Sequence, residues 1–338
     1  MKIGIIGCGA IARIRHAPEC ESNPDIEIAG FFDLVEDRAR ELVEKYGGKV
    51  YKAYEDMLED EDVEGVIVCT SNATHAEVTI KSLKAGKHVL CEKPLATTVE
   101  DGIAMDEAAK KAGKLLMIAQ NQRMDIAHTK AKEIIGSGVL GRIIYFKTEF
   151  SHSGPENWGV DKTKNTWFFN KNAAILGAMG DLGVHKIDLM RWMLEEEFVN
   201  VSALIGAFDK KTTDGEPIGV DDNAICLLST GSGILGTVTA SWSNYGPVDN
   251  STTIYCAGGV IKIYAAPQYS VEVTLKNGEN IRYKLPTQTR SGIVDAFAHV
   301  AANGKESPIS AGDAVKTLKV IFAAMEAAKS GNRVSIDY

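Results

Sequence analysis

Short apolar runs alternate with amphipathic stretches over roughly the first 120 residues of the chain. The apolar runs have the length of strands and are bounded by Gly, Asn, Asp or Lys: KIGII, EIAGFF, GVIVCT, HVLCE and LLMIA. Between them, EDRARELVEKYGG, HAEVTIKSLKAG and TTVEDGIAMDEAAKKAG have helical spacing and glycine stops, and Thr97 and Glu100 have capping-box spacing. Continuous apolar strands joined by helical crossovers predict a doubly wound parallel sheet.

The pattern changes after about residue 122. A helix candidate, AHTKAKEIIGSG, precedes a strand, RIIYFKTEF, and an irregular stretch, SHSGPENWGVDKTKN. Alternating runs then predict hairpin-like strand pairs in NAICLLST-GSG-ILGTVTASW, TTIYCAGGVIKIY and VEVTLKNGENIRYKL, and the tail from Val294 to Lys329 has a helical pattern. We predict an α/β protein: a Rossmann domain with a parallel sheet over residues 1–122, and an α+β domain with an open, mostly antiparallel sheet over residues 123–338.

Composition and charge narrow the classes of protein further. A chain of 338 residues, with 45% hydrophobic and 24% charged residues, suits two globular domains. The net charge of -8 and the lack of a long basic run exclude nucleic acid and anionic membrane as expected partners, and no segment has the roughly 18 apolar residues of a membrane span. The six cysteines have no CxxC pair or close Cys/His spacing, so we expect reduced thiols, no zinc site and a cytoplasmic protein.

The first strand runs directly into a GxGxxA turn that opens a helix. In this turn Gly7 permits the tight bend, and Gly9 leaves no side chain between the backbone and a pyrophosphate. Ala10 and Ile11 begin the helix whose N-terminal amides face the anion, and Ala12 keeps that helix close to the sheet. The strand-turn-helix context therefore predicts a dinucleotide site.

An acidic residue at the end of the second strand sets the expected cofactor. Asp33 lies 21 residues beyond Ala12, where a ribose-binding carboxylate belongs in such folds. Its charge would repel a 2′-phosphate, so we predict NAD over NADP; the alternative is that Asp33 only caps the following helix. Arg38, one helical turn on, would soften this preference if its guanidinium swung toward a phosphate.

Four further motifs follow in order: Thr70-Ser71-Asn72-Ala73-Thr74-His75, AGKHVLCEKPLATT, QNQRM and GDLGVHKID. With this series the chain closely resembles the glucose-fructose oxidoreductase / inositol dehydrogenase / MocA family over almost its whole length. The resemblance implies a Rossmann domain followed by a substrate domain, whose open sheet forms an interface between subunits of a homodimer or homotetramer. It also implies an NAD-dependent dehydrogenase that acts on a secondary hydroxyl of a sugar, cyclitol or sugar derivative.

The resemblance also assigns residues to the site. Lys93 of Glu92-Lys93-Pro94 would lie beside the nicotinamide and hold the substrate hydroxyl, with a cis Lys-Pro bond; an ordinary surface lysine is the alternative. The other implied cofactor contacts are Thr70, Asn72, His75 and Glu92, although Asn72 also suits a helix cap. The resemblance implies a substrate contact for Arg123, although an arginine there also suits an ion pair between domains. Apart from the resemblance, His152, Trp158 and Trp167 lie in the irregular stretch before Asp181, a candidate substrate loop whose rings suit either stacking on a sugar or packing.

Asp181 and His185 form an Asp-x-x-x-His segment. A hydride that leaves a carbinol carbon is accompanied by a proton from its oxygen, and histidine titrates near neutral pH, so His185 is the expected general base. If the segment is helical, Asp181 lies one turn back on the same face and orients the imidazole or relays its proton. A surface ion pair is the plain alternative, and two ligands are too few for a metal site.

One departure from the family leaves the substrate open. Many relatives have a Gly-Gly-Gly run before Asp181, whereas here the segment is Ile175-Leu176-Gly177-Ala178-Met179-Gly180. Bulkier side chains there change the expected shape of the pocket. Two other functions stay open: a family-type glycosidase that oxidises and re-reduces its sugar with bound NAD, and a non-catalytic dinucleotide-sensing regulator. Intact Lys93, Asp181 and His185 argue against the regulator.

Overall fold

A computed structural model describes all residues, 1–338, and contains two sheets. The first sheet has six parallel strands in the order β3-β2-β1-β4-β5-β6. Its strands are β1 (Lys2–Ile6), β2 (Glu27–Phe32), β3 (Lys49–Val50), β4 (Gly65–Val68), β5 (His88–Cys91) and β6 (Leu116–Ile118). Five of them are the predicted apolar runs, buried because helices cover both faces, and the two-residue β3 is an unpredicted edge strand. The predicted doubly wound parallel sheet is confirmed.

Helices connect these strands. They are a π-helical turn (Ala12–His16) that continues into α1 (Ala17–Glu21), then α2 (Glu36–Tyr46), α3 (Tyr54–Glu59), α4 (His75–Lys84) and α5 (Val99–Ala112). The predicted cap of α5 is wrong by one residue, because Thr98 rather than Thr97 accepts the hydrogen bond, from the backbone N–H of Asp101. The predicted stop is confirmed, since Gly113 takes the left-handed conformation at φ +61°.

The second sheet has nine strands in the order β14-β13-β12-β11-β7-β10-β9-β8-β15. They are β7 (Ile143–Ser151), β8 (Phe198–Gly206), β9 (Asn223–Thr230), β10 (Leu235–Ser241), β11 (Thr252–Cys256), β12 (Gly259–Ala266), β13 (Tyr269–Leu275), β14 (Asn280–Tyr283) and β15 (Val334–Ser335). Only β7 and β10 pair in parallel; every other neighbouring pair is antiparallel, which confirms the predicted mostly antiparallel sheet.

Four helices accompany the second half of the chain: α6 (Ile126–Gly136), α7 (Val184–Leu194), α8 (Ile293–Asn303) and α9 (Ala311–Ser330). α9 packs on β8 and α7 but also on α5 and β6, and α8 contacts α1 and β5. The last two helices therefore bind the halves together. The predicted division between residues 122 and 123 falls inside the short helix Asn121–Met124 and stays a prediction.

The two faces of the second sheet differ. Along β9 the side chains alternate, with Ala224, Cys226 and Leu228 buried on the inner face while Ile225 and Leu227 are exposed on the outer face. This alternation positions α7, and the residues just before it, against the inner face and toward the carboxyl ends of the parallel strands. None of the helices is both long enough and apolar enough to span a bilayer.

Candidate active site

The glycine-rich turn has the backbone geometry that the sequence predicts. Gly7 takes φ +95°, and a Cβ there would lie 2.5 Å from the carbonyl oxygen of Cys69 in the neighbouring strand connection. At Gly9 a Cβ would meet no atom within 4 Å and would project into open space, where a pyrophosphate is expected. Gly9, Ala10 and Ile11 line a cavity, whereas Ala12 is fully buried against the sheet. The turn therefore fits a dinucleotide.

The carboxylate of Asp33 fixes this turn to the second strand. One oxygen accepts a hydrogen bond from the backbone N–H of Cys8 at 2.7 Å, and the other accepts from Val35 at 2.8 Å. The N-cap residue of α2 is Val35, and no side chain caps this helix. Asp33 therefore does not cap α2, as the alternative proposed, but accepts a hydrogen bond within the loop before it. Asp33 does not line the cavity, but each carboxylate oxygen keeps a second lone pair for a ribose hydroxyl.

The cavity has a volume of about 310 Å³ and lies between the two halves of the molecule. Its first wall comes from the parallel sheet and its second from the irregular segment 155–168, together with Asp181. Beside the turn, the first wall includes Arg38, Cys69, Thr70, Asn72, His75, Glu92, Lys93 and Pro94. Ligands of open parallel sheets bind in such a crevice at the strands' carboxyl ends, so this is the candidate active site.

Two residues after β4 support the floor of the cavity. Asn72 donates from Nδ2 to the carbonyl oxygen of Ala174 at 3.0 Å, so its side chain joins the two domains and does not cap a helix. His75 has its Nδ1 2.8 Å from the Pro94 carbonyl and its Nε2 3.2 Å from the Thr70 carbonyl. Burial lowers the pKa of His75, and the histidine holds the Glu92-Lys93-Pro94 turn in place.

Glu92 faces inward and pairs with an unpredicted histidine. Nε2 of His16 lies 2.7 Å from Oε1 of Glu92, and both side chains are buried. Burial alone would raise the pKa of the Glu92 carboxyl, but the hydrogen bond with His16 and the charges of His16 and Lys93 lower it to about 2. Its other oxygen accepts the backbone N–H of Lys93 at 3.1 Å. Glu92 is thus an anchor for the lysine turn as well as part of the cavity wall.

Lys93 and Asp181 form an ion pair across the domain boundary. Nζ of Lys93 donates to Oδ1 of Asp181 at 2.7 Å and to its backbone carbonyl at 2.9 Å, and the Lys93-Pro94 bond is cis. The indole Nε1 of Trp242 donates to Oδ2 at 3.1 Å. Burial would raise the pKa of the Asp181 carboxyl, but Lys93, His152 and Trp242 hold it below its ordinary value. The structure therefore places a charged amine beside a fixed carboxylate in the cavity.

The expected contact between Asp181 and His185 is wrong. Both oxygens of Asp181 are used by Lys93 and Trp242, and neither ring nitrogen of His185 has a hydrogen-bond partner. Asp181 lies in a π-helical turn, Met179–Gly183, so the regular four-residue stacking of an α-helix does not apply at this point. Burial, with a smaller contribution from Lys93, lowers the pKa of His185 well below the ordinary histidine value.

His185 is 6% exposed and does not line the cavity itself. Its Nδ1 is fully buried, which leaves Nε2 as the nitrogen that can accept a proton. Low pKa and burial make the imidazole neutral at neutral pH, as a general base requires. No group of three or more His, Cys, Asp or Glu side chains is arranged to hold a metal ion.

The segment 155–168 brings aromatic rings to the cavity. Trp158 and Trp167 both line it, and Trp167 stacks on Phe168 with ring centroids 3.9 Å apart. His152 lies just outside, with Nε2 3.9 Å from Oδ2 of Asp181 and Nδ1 accepting the N–H of Gly154. Burial lowers the pKa of His152. The two tryptophans are therefore placed to cover an apolar face of a bound molecule, while also packing on their neighbours.

Arg123 does not line the cavity, and the structure places it in the ion pairs that its alternative describes. The substrate contact stays a prediction. The guanidinium is buried and donates Nε to Oδ2 of Asp188 at 2.7 Å and Nη2 to Asp313 at the start of α9. A planar guanidinium that serves two carboxylates ties Asp188 on α7 to the helix that bridges both domains. Its role is to fix the helix that carries His185.

Asp221 fixes the start of the segment that carries Asp181. Its carboxylate accepts the backbone N–H groups of Gly177 at 2.8 Å and Met179 at 2.7 Å. Burial raises the pKa of Asp221 to about 6. A Cβ on Gly177 would lie 1.8 Å from the carbonyl oxygen of Asp221, so this glycine permits the close approach of the two chain segments. Neither Asp221 nor Trp242 has a local sequence signal, since both act through folding contacts.

Comparisons with known proteins agree with this geometry. Residues 1–120 match the family model described as "Oxidoreductase family, NAD-binding Rossmann fold", and residues 128–262 match the GFO/IDH/MocA C-terminal domain. The chain is 31% identical over 283 residues to a myo-inositol 2-dehydrogenase of Thermotoga maritima, with 82% of this chain and 80% of that protein covered.

A second relative is a glucose-6-phosphate 3-dehydrogenase of Bacillus subtilis. It is 32% identical over 226 residues, which cover 66% of this chain and 62% of that protein. Among solved structures, an aldose-aldose oxidoreductase from Caulobacter crescentus, complexed with glycerol, is 26% identical with a TM-score of 0.85 over 99% of both chains. The likeness therefore extends over both domains.

Proposed function

Because the chain belongs to the GFO/IDH/MocA oxidoreductase family, we propose that it transfers a hydride between nicotinamide and a secondary hydroxyl of a sugar, cyclitol or sugar derivative. The observation that carries this proposal is the Lys93–Asp181 pair, which lies in the same cavity as the glycine-rich turn. Bound NAD supplies the hydride acceptor or donor. Gly9, Ala10 and Ile11 would hold its pyrophosphate and Asp33 its ribose.

Lys93 positions the reacting hydroxyl. Two N–H groups of its ammonium donate to the side chain and the backbone carbonyl of Asp181, and the third N–H remains for a substrate oxygen. As the hydroxyl loses its proton, negative charge builds on the oxygen, and the nearby ammonium lowers the free energy of that alkoxide-like state. The carbinol carbon then loses its hydride to the nicotinamide, and the alkoxide becomes a carbonyl group. Asp181 in turn keeps the amine aimed at the cavity.

His185 accepts the proton in this proposal. Its imidazole is neutral because burial lowers its pKa, and Nε2 has no competing hydrogen bond. Since His185 lies behind the cavity wall and does not contact Asp181, the substrate hydroxyl must approach the deep end of the cavity to reach Nε2. In the direction of reduction the same groups return the proton to the oxygen.

A screen with NAD tests the function directly. Cyclitols, aldoses and sugar acids are offered one at a time, and NADH fluorescence is recorded with product analysis. We expect net NADH from at least one neutral polyol. Release of a free leaving group from a glycoside without net NADH would instead identify the glycosidase, and tight NAD binding without any turnover would identify the sensing regulator.

We also propose that the outer face of the second sheet joins subunits in a homodimer or homotetramer. The exposed side chains Leu204, Ile225, Leu227 and Leu235 lie near one another across β8, β9 and β10, and Tyr145 stacks on Tyr255 beside them at 4.0 Å. An apolar patch of this kind is typical of a protein interface. A cytoplasmic location stays a prediction, supported by six cysteines that are all free and buried.

A further inference from the structure

Arg38 lies at the mouth of the cavity and is held by a residue of the other domain. Its Nη2 donates to Oδ2 of Asp161 at 2.6 Å, an ion pair that joins α2 to the segment 155–168. Both residues line the cavity together with Gly9 and Ala10. We propose that Asp161 is a determinant of cofactor choice, which favours NAD because it occupies the arginine that would otherwise bind the 2′-phosphate of NADP.

Arg38 lies close to the expected ribose-binding acid, Asp33. It lies in the first turn of α2, five residues after Asp33, and an arginine near the ribose acid is what accommodates a 2′-phosphate in this fold. The chain thus combines an acid suited to NAD with a cation suited to NADP. Which of them decides the preference depends on whether the guanidinium is free, and Asp161 holds it.

Two other cations, Arg13 and Lys162, lie near Arg38 and differ in whether they have an ion-pair partner. Arg13 is already used, because it pairs with Glu41 at 2.6 Å and donates to the carbonyls of Cys8 and Arg38. Lys162, next to Asp161 in the cavity wall, has no ion-pair partner. Loss of the Asp161 charge would therefore leave Arg38 and Lys162 facing the adenosine end of the site, opposed only by Asp33 and the acids of the first turn of α2.

The same ion pair fastens the segment 155–168 over the cavity. The side chains of Arg38 and Asp161 are 27% and 60% exposed, so the contact is screened by solvent and weak enough to open for cofactor exchange. Substitution of either Arg38 or Asp161 would break the ion pair and loosen this segment equally. Only substitution of Asp161 would also leave the Arg38 guanidinium free to bind a phosphate. The two substitutions therefore distinguish a role in cofactor specificity from a purely structural role.

The inference rests on the proposed dinucleotide site, and fluorescence titration with NADH and NADPH tests both without any sugar substrate. We expect Asp161→Asn to lower the ratio of the NADPH to the NADH dissociation constant by about fivefold, the most that an exposed ion pair can withhold the guanidinium from a phosphate. Asp161→Glu, which keeps the carboxylate, should leave the ratio within about twofold of wild type.

Arg38→Ala and the double variant Arg38→Ala/Asp161→Asn are the matched controls. Both variants should weaken NADH binding as much as Asp161→Asn does, because each breaks the Arg38–Asp161 ion pair. Neither should lower the ratio of the NADPH to the NADH dissociation constant, because neither leaves a free guanidinium. An unchanged ratio in Asp161→Asn, or an equal fall in the double variant, would overturn the inference while NADH binding at the turn stands. Failure of the wild-type protein to bind NADH would overturn the dinucleotide site as well.

Discussion

At the scale of single residues, the assignment of His185 as the base makes the clearest prediction. His185→Ala should reduce turnover by about a hundredfold or more, since the proton loses its acceptor. NADH binding should stay near the wild-type value, because His185 does not line the cavity. Stopped-flow turnover and NADH titration measure the two effects. Turnover close to wild type would contradict the assignment of His185 and indicate that the Lys93–Asp181 pair accepts the proton instead.

The pH profile follows from the same residue. A general base must be unprotonated, and burial holds the pKa of His185 well below the ordinary histidine value of about 6.5. The acid limb of kcat/KM for alcohol oxidation should therefore lie below that value, with activity lost as the pH falls through the lowered pKa. A limb at or above the ordinary histidine pKa would show that the imidazole is not the buried, neutral group described above.

Sequence alone predicted about half of the residues that line the cavity, because their signals are local. Gly7, Gly9 and Lys93 belong to short motifs whose spacing reflects backbone geometry. Trp242 and Asp221 carry no such signal, since they reach Asp181 and Met179 only after the second sheet has folded. The assumed Asp181–His185 contact failed for a related reason: four-residue spacing assumes a regular α-helix, and this turn is π-helical.

At the scale of elements, the start of the helix that carries the site depends on Gly177. Gly177→Ala should destabilise the protein by about 1–3 kcal/mol and lower turnover, because the new methyl group would push Asp221 away and leave buried N–H groups unpaired. Thermal unfolding and kcat record the two effects. Gly136→Ala in α6 is the control, since a Cβ there meets nothing within 4 Å. Equal behaviour of the two variants would contradict the role of Asp221.

The elements themselves were predictable wherever hydrophobic periodicity is strong. The apolar parallel strands and the alternating hairpins were found, whereas β8 was missed, because FVNVSALIG mixes polar and apolar residues without a flanking turn signal. The cap of α5 was misplaced by one residue because Thr97 and Thr98 are adjacent and equally suited to cap. Tertiary packing, which a single sequence does not display, decided between them.

At the scale of the whole molecule, the outer sheet face predicts self-association. Leu227→Glu should shift the protein toward monomers in size-exclusion chromatography with light scattering, because Leu227 is 58% exposed at the centre of the apolar patch. NADH binding should persist in that variant. Leu34→Glu, at a 94% exposed leucine of the Rossmann domain, is the control and should not change the mass. A monomeric wild-type protein would refute the interface.

The central claim is that a dinucleotide lies along the glycine-rich turn with its reactive ring beside the Lys93–Asp181 pair. A crystal structure of the protein with bound NADH tests it most directly. We predict the pyrophosphate over Gly9, the adenosine ribose at Asp33, and the nicotinamide within contact of Lys93. Density for NADH elsewhere, or a nicotinamide directed away from Lys93 and His185, would contradict the account.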